Sequence, residues 1–132
     1  METIFTKIIN GEIPCTKVYE DDKVLAFLDI HPINKGHTLV IPKEPYENIY
    51  DIPDELLSHM ICIVRNIAKK IKTELGADGV NVGMNNGKAS GQEVFHAHMH
   101  VIPRYENDGY INWHGKSYDS EEEKELIAQK LK

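Results

Sequence analysis

Cysteine is scarce in this chain of 132 residues, which holds only Cys15 and Cys62. Two unpatterned cysteines do not make a disulfide framework or a cysteine-rich zinc site, so a reducing compartment is the simplest interpretation. Long apolar runs are also lacking, since no stretch approaches the roughly 18 residues of a membrane span. The amino terminus has neither an apolar run nor a basic leader segment. We therefore expect a soluble cytoplasmic protein without a membrane partner.

Basic residues are outnumbered, with 15 Lys and Arg against 21 Asp and Glu, which gives a formal charge of -6. The scattered cations exclude the basic stripe that neutralises a nucleic-acid backbone, so we expect no nucleic acid polymer as partner. Small phosphorylated ligands are not excluded, because backbone N–H groups can build a local anion site. The composition is that of an ordinary globular protein, and the length predicts one domain, residues 1–132.

Three short apolar runs predict strands in the first third of the chain. The runs Lys17–Glu20 and 24–30 are joined by an Asp-Asp pair that favours a turn, which predicts an antiparallel hairpin. A third run, residues 37–41, is rich in β-branched residues and ends at Pro42.

A long amphipathic helix is predicted after Asp51, a plausible N-cap with Pro53 just inside, and it ends at Gly76. The apolar residues at helical spacing are Leu56, Met60, Ile63, Ile67, Ile71 and Leu75. The centre, residues 60–64, is apolar through more than one turn, so one sheet cannot cover it all. We therefore expect a second subunit, as in a homodimer, to cover the remainder.

Alternation predicts a fourth strand over residues 80–84 and a fifth over residues 96–103. After a polar stretch, residues 105–119, Ser120 can cap a terminal helix with Glu123 in the capping-box position. The order of elements indicates an α+β fold with about five mostly antiparallel strands, one long central helix and a C-terminal helix.

Three histidines, His96, His98 and His100, recur at alternate positions of the fifth predicted strand. Alternate side chains share one face, about 6 to 7 Å apart. Burying three imidazoles without hydrogen-bond partners is costly, so we expect the three side chains to have a function. Two functions are possible. Either the three bind zinc or another divalent ion, or one neutral imidazole is a nucleophile and the others donate to phosphoryl oxygens. The glycine-rich residues 85–92, whose backbone N–H groups can approach an anion, favour the second.

The segment His96-Ala97-His98-Met99-His100-Val101-Ile102 resembles the signature His-φ-His-φ-His-φ-φ (φ, apolar) of the histidine triad (HIT) nucleotide-binding superfamily. Five further segments match in order and at compatible spacing. They are Gly11-Glu12-Ile13-Pro14, Tyr19-Glu20-Asp21-Asp22, Leu25-Ala26-Phe27-Leu28-Asp29-Ile30, Gly36-His37-Thr38-Leu39-Val40-Ile41-Pro42-Lys43 and Gly91-Gln92. The resemblance implies a HIT-like fold with its core at about residues 4–104 and a C-terminal segment, residues 105–132.

The resemblance implies that His98 is the nucleophile and forms a nucleotidyl-histidine that water hydrolyses. His37 and His100 would be its polar partners, and His96 would complete the hydrogen-bonded set. Asp29 matches the position that contacts the ribose hydroxyls, for which an acceptor-only carboxylate is suited.

The resemblance also assigns a purine pocket and a phosphate loop. The positions that match the pocket, each of which could instead be a core residue, are Ile4, Phe5, Ile8, Phe27, Leu28 and Ile30. Asn85 matches a phosphate-contacting position and Gln92 lies on the loop entering the triad, although both could be turn or strand-end residues. Glu93 replaces the Ser or Thr of the best-known phosphoramidase branch. Its carboxylate could act as a general acid if its pKa were raised, or it could repel an anionic leaving group.

Two absences refine the expected activity. Thr3 and Thr6 stand where some relatives carry a zinc-binding Cys-x-x-Cys pair, which implies no structural zinc and no required cofactor. His100 stands where the uridylyltransferase branch has Gln, which favours hydrolysis. We therefore expect a hydrolase that cleaves a purine nucleoside phosphoramidate or dinucleoside polyphosphate at the α-phosphorus and releases a nucleotide such as AMP. The alternatives are a zinc-binding protein and a nucleotide-binding regulator with little catalysis.

Overall fold

The computed structural model describes residues 2–132, in which five strands form one antiparallel sheet. The strands are β1 (Lys17–Glu20), β2 (Val24–Leu28), β3 (Thr38–Pro42), β4 (Gly79–Met84) and β5 (Met99–Arg104). Their order across the sheet is β1-β2-β3-β5-β4, with every neighbouring pair antiparallel. Three helices accompany them: α1 (Ile4–Ile9), α2 (Asp54–Glu74) and α3 (Glu121–Leu131). The expected α+β fold with a long central helix is confirmed.

Helix α2 covers one face of the sheet. Its Met60 and Val64, almost fully buried, pack with Val24, Val40 and Val101 from three strands. Ile61, on another side of α2, is 46% exposed, because the sheet covers only part of the helix surface. None of the helices described in residues 2–132 is both long and apolar enough to cross a membrane. The cytoplasmic location stays a prediction.

Helix α1 lies against the opposite face, where Phe5 packs with Leu25, Phe27 and Leu39. This six-residue helix is absent from the predicted elements, because it is too short to show a repeating apolar pattern. A local signal exists, since the Thr3 side chain accepts from backbone N–H groups of the first turn. In return, the Thr3 N–H donates to Thr6 Oγ1 at 2.8 Å, which completes a capping box.

The predicted N-cap Asp51 of α2 is wrong. Asp51 ends a short 3₁₀ turn, Ile49–Asp51, and the helix begins at Asp54 after Pro53. Proline disfavours helical geometry in the residue before it, and Ile52 is accordingly extended at ψ 124°. The chain therefore breaks between the 3₁₀ turn and α2.

The fifth strand starts three residues later than predicted, at Met99. The Ala97 N–H donates to the Tyr46 carbonyl at 2.7 Å, so the segment 96–98 is tied to the loop after β3. Of the three alternating histidines, only His100 lies within a strand. At the other end of the chain, the predicted cap Ser120 is confirmed, since its Oγ accepts from the Glu123 N–H at 3.0 Å. The Glu123 carboxylate accepts from the Asp119 N–H, whereas in a capping box it would accept from the N–H of Ser120.

Candidate active site

His98 is held with one ring nitrogen bonded and the other accessible. Its Nδ1 lies 2.7 Å from the carbonyl oxygen of His96. A carbonyl can only accept, so Nδ1 must carry the hydrogen and, in the neutral ring, Nε2 keeps its lone pair. Among residues 2–132, Nε2 has no hydrogen-bond partner, yet it is not a buried unpaired atom. His98 therefore presents an unprotonated nitrogen at the surface of the site.

His96 acts through its backbone, while its ring anchors the segment. Its Nε2 donates to the Pro42 carbonyl at 2.7 Å, which ties the triad to the end of β3. Its Nδ1 is buried and is the one orphaned buried side-chain nitrogen or oxygen within residues 2–132. The fully buried His96 ring fixes the carbonyl that orients His98.

His37 and His100 form a relay whose proton positions follow from one backbone group. The Ile33 N–H donates to His37 Nδ1 at 3.1 Å, so in the neutral ring the hydrogen of His37 sits on Nε2. His37 Nε2 lies 2.9 Å from His100 Nδ1 and donates to it. The neutral His100 ring therefore carries its hydrogen on Nε2, as a donor. The His98 and His100 ring centroids are 5.0 Å apart, so the ring that carries this donor is next to the His98 ring.

The imidazoles of the site are held in the neutral form. Burial lowers the pKa values of His37, His96 and His98. Burial, together with the neighbouring His98 and His37, lowers the pKa of His100 to about 4. The Phe5 ring of α1 contributes to this burial, since its centroid is 5.0 Å from that of His98 and the ring planes are nearly perpendicular. A neutral imidazole at neutral pH is the state that a nucleophile requires.

Asp29 lies beside His37 and His100. Its Oδ1 accepts from the His31 N–H at 2.9 Å, while Oδ2 lies 3.8 Å from His37 Nε2. The side chain is 21% exposed, so a ligand can reach it. The loop after β2 thus brings the candidate ribose residue next to the relay.

The geometry does not favour a metal centre. In residues 2–132 the grouped ligand atoms belong to Asp29, His37 and His100, which lie within 4.8 Å of one another. To bind a metal, His37 Nε2 would need a lone pair, which in a neutral ring moves the hydrogen to Nδ1, against the Ile33 N–H. The zinc alternative named His96, His98 and His100, but within residues 2–132 the ring nitrogens of these three histidines are not grouped as ligands around one point.

The loop that enters the triad is built on glycines and on a buried glutamine. Gly87 and Gly91 adopt positive φ values of 93° and 99°, which side chains disfavour. The Gln92 Oε1 accepts from the Gly87 N–H at 2.8 Å, and its amide donates to two backbone carbonyls. The amide of Gln92 thus holds the loop together. Asn85 packs against Gly91, where a Cβ would lie 3.5 Å from the Asn85 amide nitrogen, and Glu93 is exposed on the loop.

The proposed purine-pocket residues divide into core and surface. Phe5 and Phe27 are buried against each other, and Ile8 is partly buried beside them. Leu28 is half-buried at the end of β2. The exposed members are Ile4 at 46% and Ile30 at 80%.

The backbone groups that set the proton positions were not among the predicted site residues. The Ile33 N–H and the Pro42 carbonyl carry no side-chain signal, so only the fold reveals them. Gly36 was also not a predicted site residue, although it directly precedes His37 in a segment that matches the family. Its φ is 101°, and a Cβ there would lie 2.5 Å from Leu75 Cδ1, so glycine allows the close approach of α2's end to the His37 loop.

The chain is similar in sequence and in fold to known proteins. The family model described as the HIT domain matches residues 10–107. An uncharacterized HIT-like protein of Methanocaldococcus jannaschii is 56% identical over 108 residues, which cover 82% of this chain and 83% of that protein. The adenylylsulfatase HINT3 of Arabidopsis thaliana is 44% identical over 107 residues, which cover 81% of this chain and 54% of that protein. The crystal structure of a HIT-family member from Bacillus subtilis has a TM-score of 0.92 at 46% identity, covering 99% of this chain and 95% of that one. This chain therefore belongs to the HIT family.

Proposed function

We propose that this protein is a nucleotide-binding hydrolase that cleaves a purine nucleotide conjugate at the α-phosphorus. The observation that carries the proposal is the state of His98, whose Nδ1 is bonded to the His96 carbonyl at 2.7 Å and whose Nε2 is free. The adenylylsulfatase among the relatives supports an adenylyl nucleotide as the substrate class. The proposed conjugate is a nucleoside phosphoramidate or a dinucleoside polyphosphate, and AMP is the expected product.

In the first step, His98 Nε2 attacks the α-phosphorus and forms a nucleotidyl-histidine. The bond between phosphorus and the leaving group breaks, and the leaving group departs with the electron pair. The ring becomes cationic, and its Nδ1–H bond to the His96 carbonyl stabilises that charge. The Nε2–H of His100, oriented by His37, donates to a phosphoryl oxygen, where a preorganised donor is most effective.

In the second step, water attacks the same phosphorus and the nitrogen–phosphorus bond breaks, which returns the neutral imidazole. The water oxygen stays in the nucleoside monophosphate, and a water proton balances the one taken up by the leaving group. Asp29, whose side chain is 21% exposed, is proposed to accept from the ribose hydroxyls. Glu93 is proposed to lie near the leaving group and to select among leaving groups by charge.

A panel of conjugates tests the function. Adenosine 5′-phosphoramidate, a dinucleoside polyphosphate and the 2′-deoxy analogue of the phosphoramidate are incubated with the protein, with and without a chelator. We expect AMP from at least one ribonucleotide conjugate, slower turnover of the 2′-deoxy analogue, and no effect of the chelator. Activity lost together with stoichiometric metal would instead favour the zinc alternative. Tight AMP binding without turnover of any conjugate would favour a regulator.

We further propose that the protein acts as a homodimer. Strand β4 is at an edge of the sheet with Val82 48% exposed, and Ile61 of α2 is 46% exposed. In the C-terminal segment, Ile111 and Trp113 are 80% and 97% exposed. Apolar side chains of this size favour burial against a second copy. Light scattering at micromolar concentration should give twice the chain mass, and Ile61→Asp should shift the mass toward one chain. A single-chain mass for the unsubstituted protein would contradict the dimer.

A further inference from the structure

The turn after β5 is organised around one buried carboxylate. The side chain of Asp108 is 7% exposed, and it accepts from Arg104 Nε at 2.8 Å and from Arg104 Nη2 at 3.2 Å. It also accepts from the Tyr105 and Tyr110 N–H groups, each at 3.1 Å. The Arg104 guanidinium holds the pKa of Asp108 well below its usual range. These hydrogen bonds hold the turn in one conformation at the end of β5.

The turn after β5 forms hydrogen bonds with two adjacent residues of the loop between β2 and β3. The Asn34 Nδ2 donates to Asp108 Oδ2 at 3.1 Å and to the Pro103 carbonyl at 2.8 Å. The Tyr110 hydroxyl donates to the Ile33 carbonyl at 2.9 Å. Residues far apart in sequence thus hold the carbonyl of Ile33 and the side chain of Asn34.

The same two residues, Ile33 and Asn34, hold His37, and the Ile33 N–H sets its tautomer. The Ile33 N–H donates to His37 Nδ1 at 3.1 Å, and the Asn34 carbonyl accepts from the His37 N–H at 3.0 Å. If the Ile33 N–H turned away from His37 Nδ1, His37 could carry its hydrogen on Nδ1. Its Nε2 would then offer a lone pair to His100 Nδ1, and His100 would hold its hydrogen there instead of on Nε2.

We propose that Asn34 and Tyr110, supported by Asp108, are positioning residues that keep the His100 hydrogen on Nε2, toward the substrate. The inference rests on the proposed function for its catalytic consequence, while the tautomers themselves can be measured in the free protein. None of these three side chains needs to touch the substrate. They act through Ile33 and His37, along a series of hydrogen bonds from the turn to His100 that passes through the backbone of Ile33.

The test uses Tyr110→Phe and the double variant Tyr110→Phe/Asn34→Ala. Tyr110 is 51% exposed, so loss of its hydroxyl leaves the fold intact. Nitrogen-15 NMR of the imidazoles should show the Nε2–H tautomers of His37 and His100 in the unsubstituted protein and a mixture in the variants. For Tyr110→Phe, kcat should fall about fivefold, the effect of one neutral hydrogen bond, with KM nearly unchanged.

The matched control is Tyr105→Phe, which removes a hydroxyl whose bond to the Leu75 carbonyl, at 3.5 Å, lies outside the series. It should leave both the tautomers and kcat unchanged. Unchanged tautomers in the double variant would overturn the inference, as would a shifted tautomer with no fall in kcat. If the unsubstituted protein hydrolyses no conjugate, the proposed function fails, yet the NMR measurement still decides whether the turn sets the tautomers.

Discussion

Replacing His98 by alanine is expected to abolish turnover, with kcat/KM reduced on the order of 10⁴-fold or more. Removal of a nucleophile eliminates the covalent route, while the donors around the phosphate retain only residual catalysis. His98 is buried but makes its one side-chain bond to a carbonyl, so the variant should fold. Steady-state kinetics on adenosine 5′-phosphoramidate measures the loss, and AMP binding by calorimetry shows that the pocket persists.

His114→Ala is the matched control, because His114 is an exposed histidine of the C-terminal segment. Its turnover should equal that of the unsubstituted protein. If His98→Ala retained more than about a tenth of the activity, His98 would not be the nucleophile.

Stability is expected to fall as the pH is lowered from about 6.5 toward 4. The folded-state pKa values of the site histidines lie below the unfolded value near 6.5, so the unfolded chain binds more protons in this range. Their contribution is therefore present above pH 6.5 and is lost as the pH falls through the folded pKa, which for His100 is about 4. For His100 alone this corresponds to up to about 3 kcal/mol.

Urea unfolding at a series of pH values measures this slope. Acidic residues with strongly lowered pKa values, such as Glu20 with a pKa of about 2, lose their contributions to stability at lower pH than the histidines do. The pH range in which the histidines act can therefore be distinguished from the range of the carboxylates. The variant His100→Gln keeps a polar side chain but removes one titrating ring, so its slope between pH 6.5 and 4 should be shallower. A free energy of unfolding that is flat in this range would show that the imidazoles are not buried in the neutral form.

The sheet and the long helix could be predicted because each has a repeating apolar pattern. The strands around Val24 and Val80 and the face of α2 that carries Met60 lie where their alternation or helical spacing placed them. The boundaries could not be predicted as well. Pro53 excluded Ile52 from α2, which begins at Asp54, and a tertiary hydrogen bond from the Ala97 N–H to the Tyr46 carbonyl ties the segment before β5 to another loop.

The residue types of the candidate site could be predicted, but the proton positions of His37 and His100 could not. Nothing in the sequence around His37 indicates that the Ile33 N–H fixes its tautomer. The same is true of Asp108, whose partners Asn34 and Arg104 come together only through the fold. Gln92 shows the converse, since a residue matched to the ligand loop has its amide occupied by backbone groups.

The free nitrogen of His98 is proposed to take the nucleotidyl group, and every catalytic step depends on that bond. The most direct measurement is rapid acid-free quenching of the protein with substrate, followed by mass spectrometry of its peptides and phosphorus NMR of the adduct. We predict one nucleotidyl group bonded to Nε2 of His98, which disappears as water releases the monophosphate. An adduct on another residue, or efficient turnover without any adduct on His98, would contradict this mechanism.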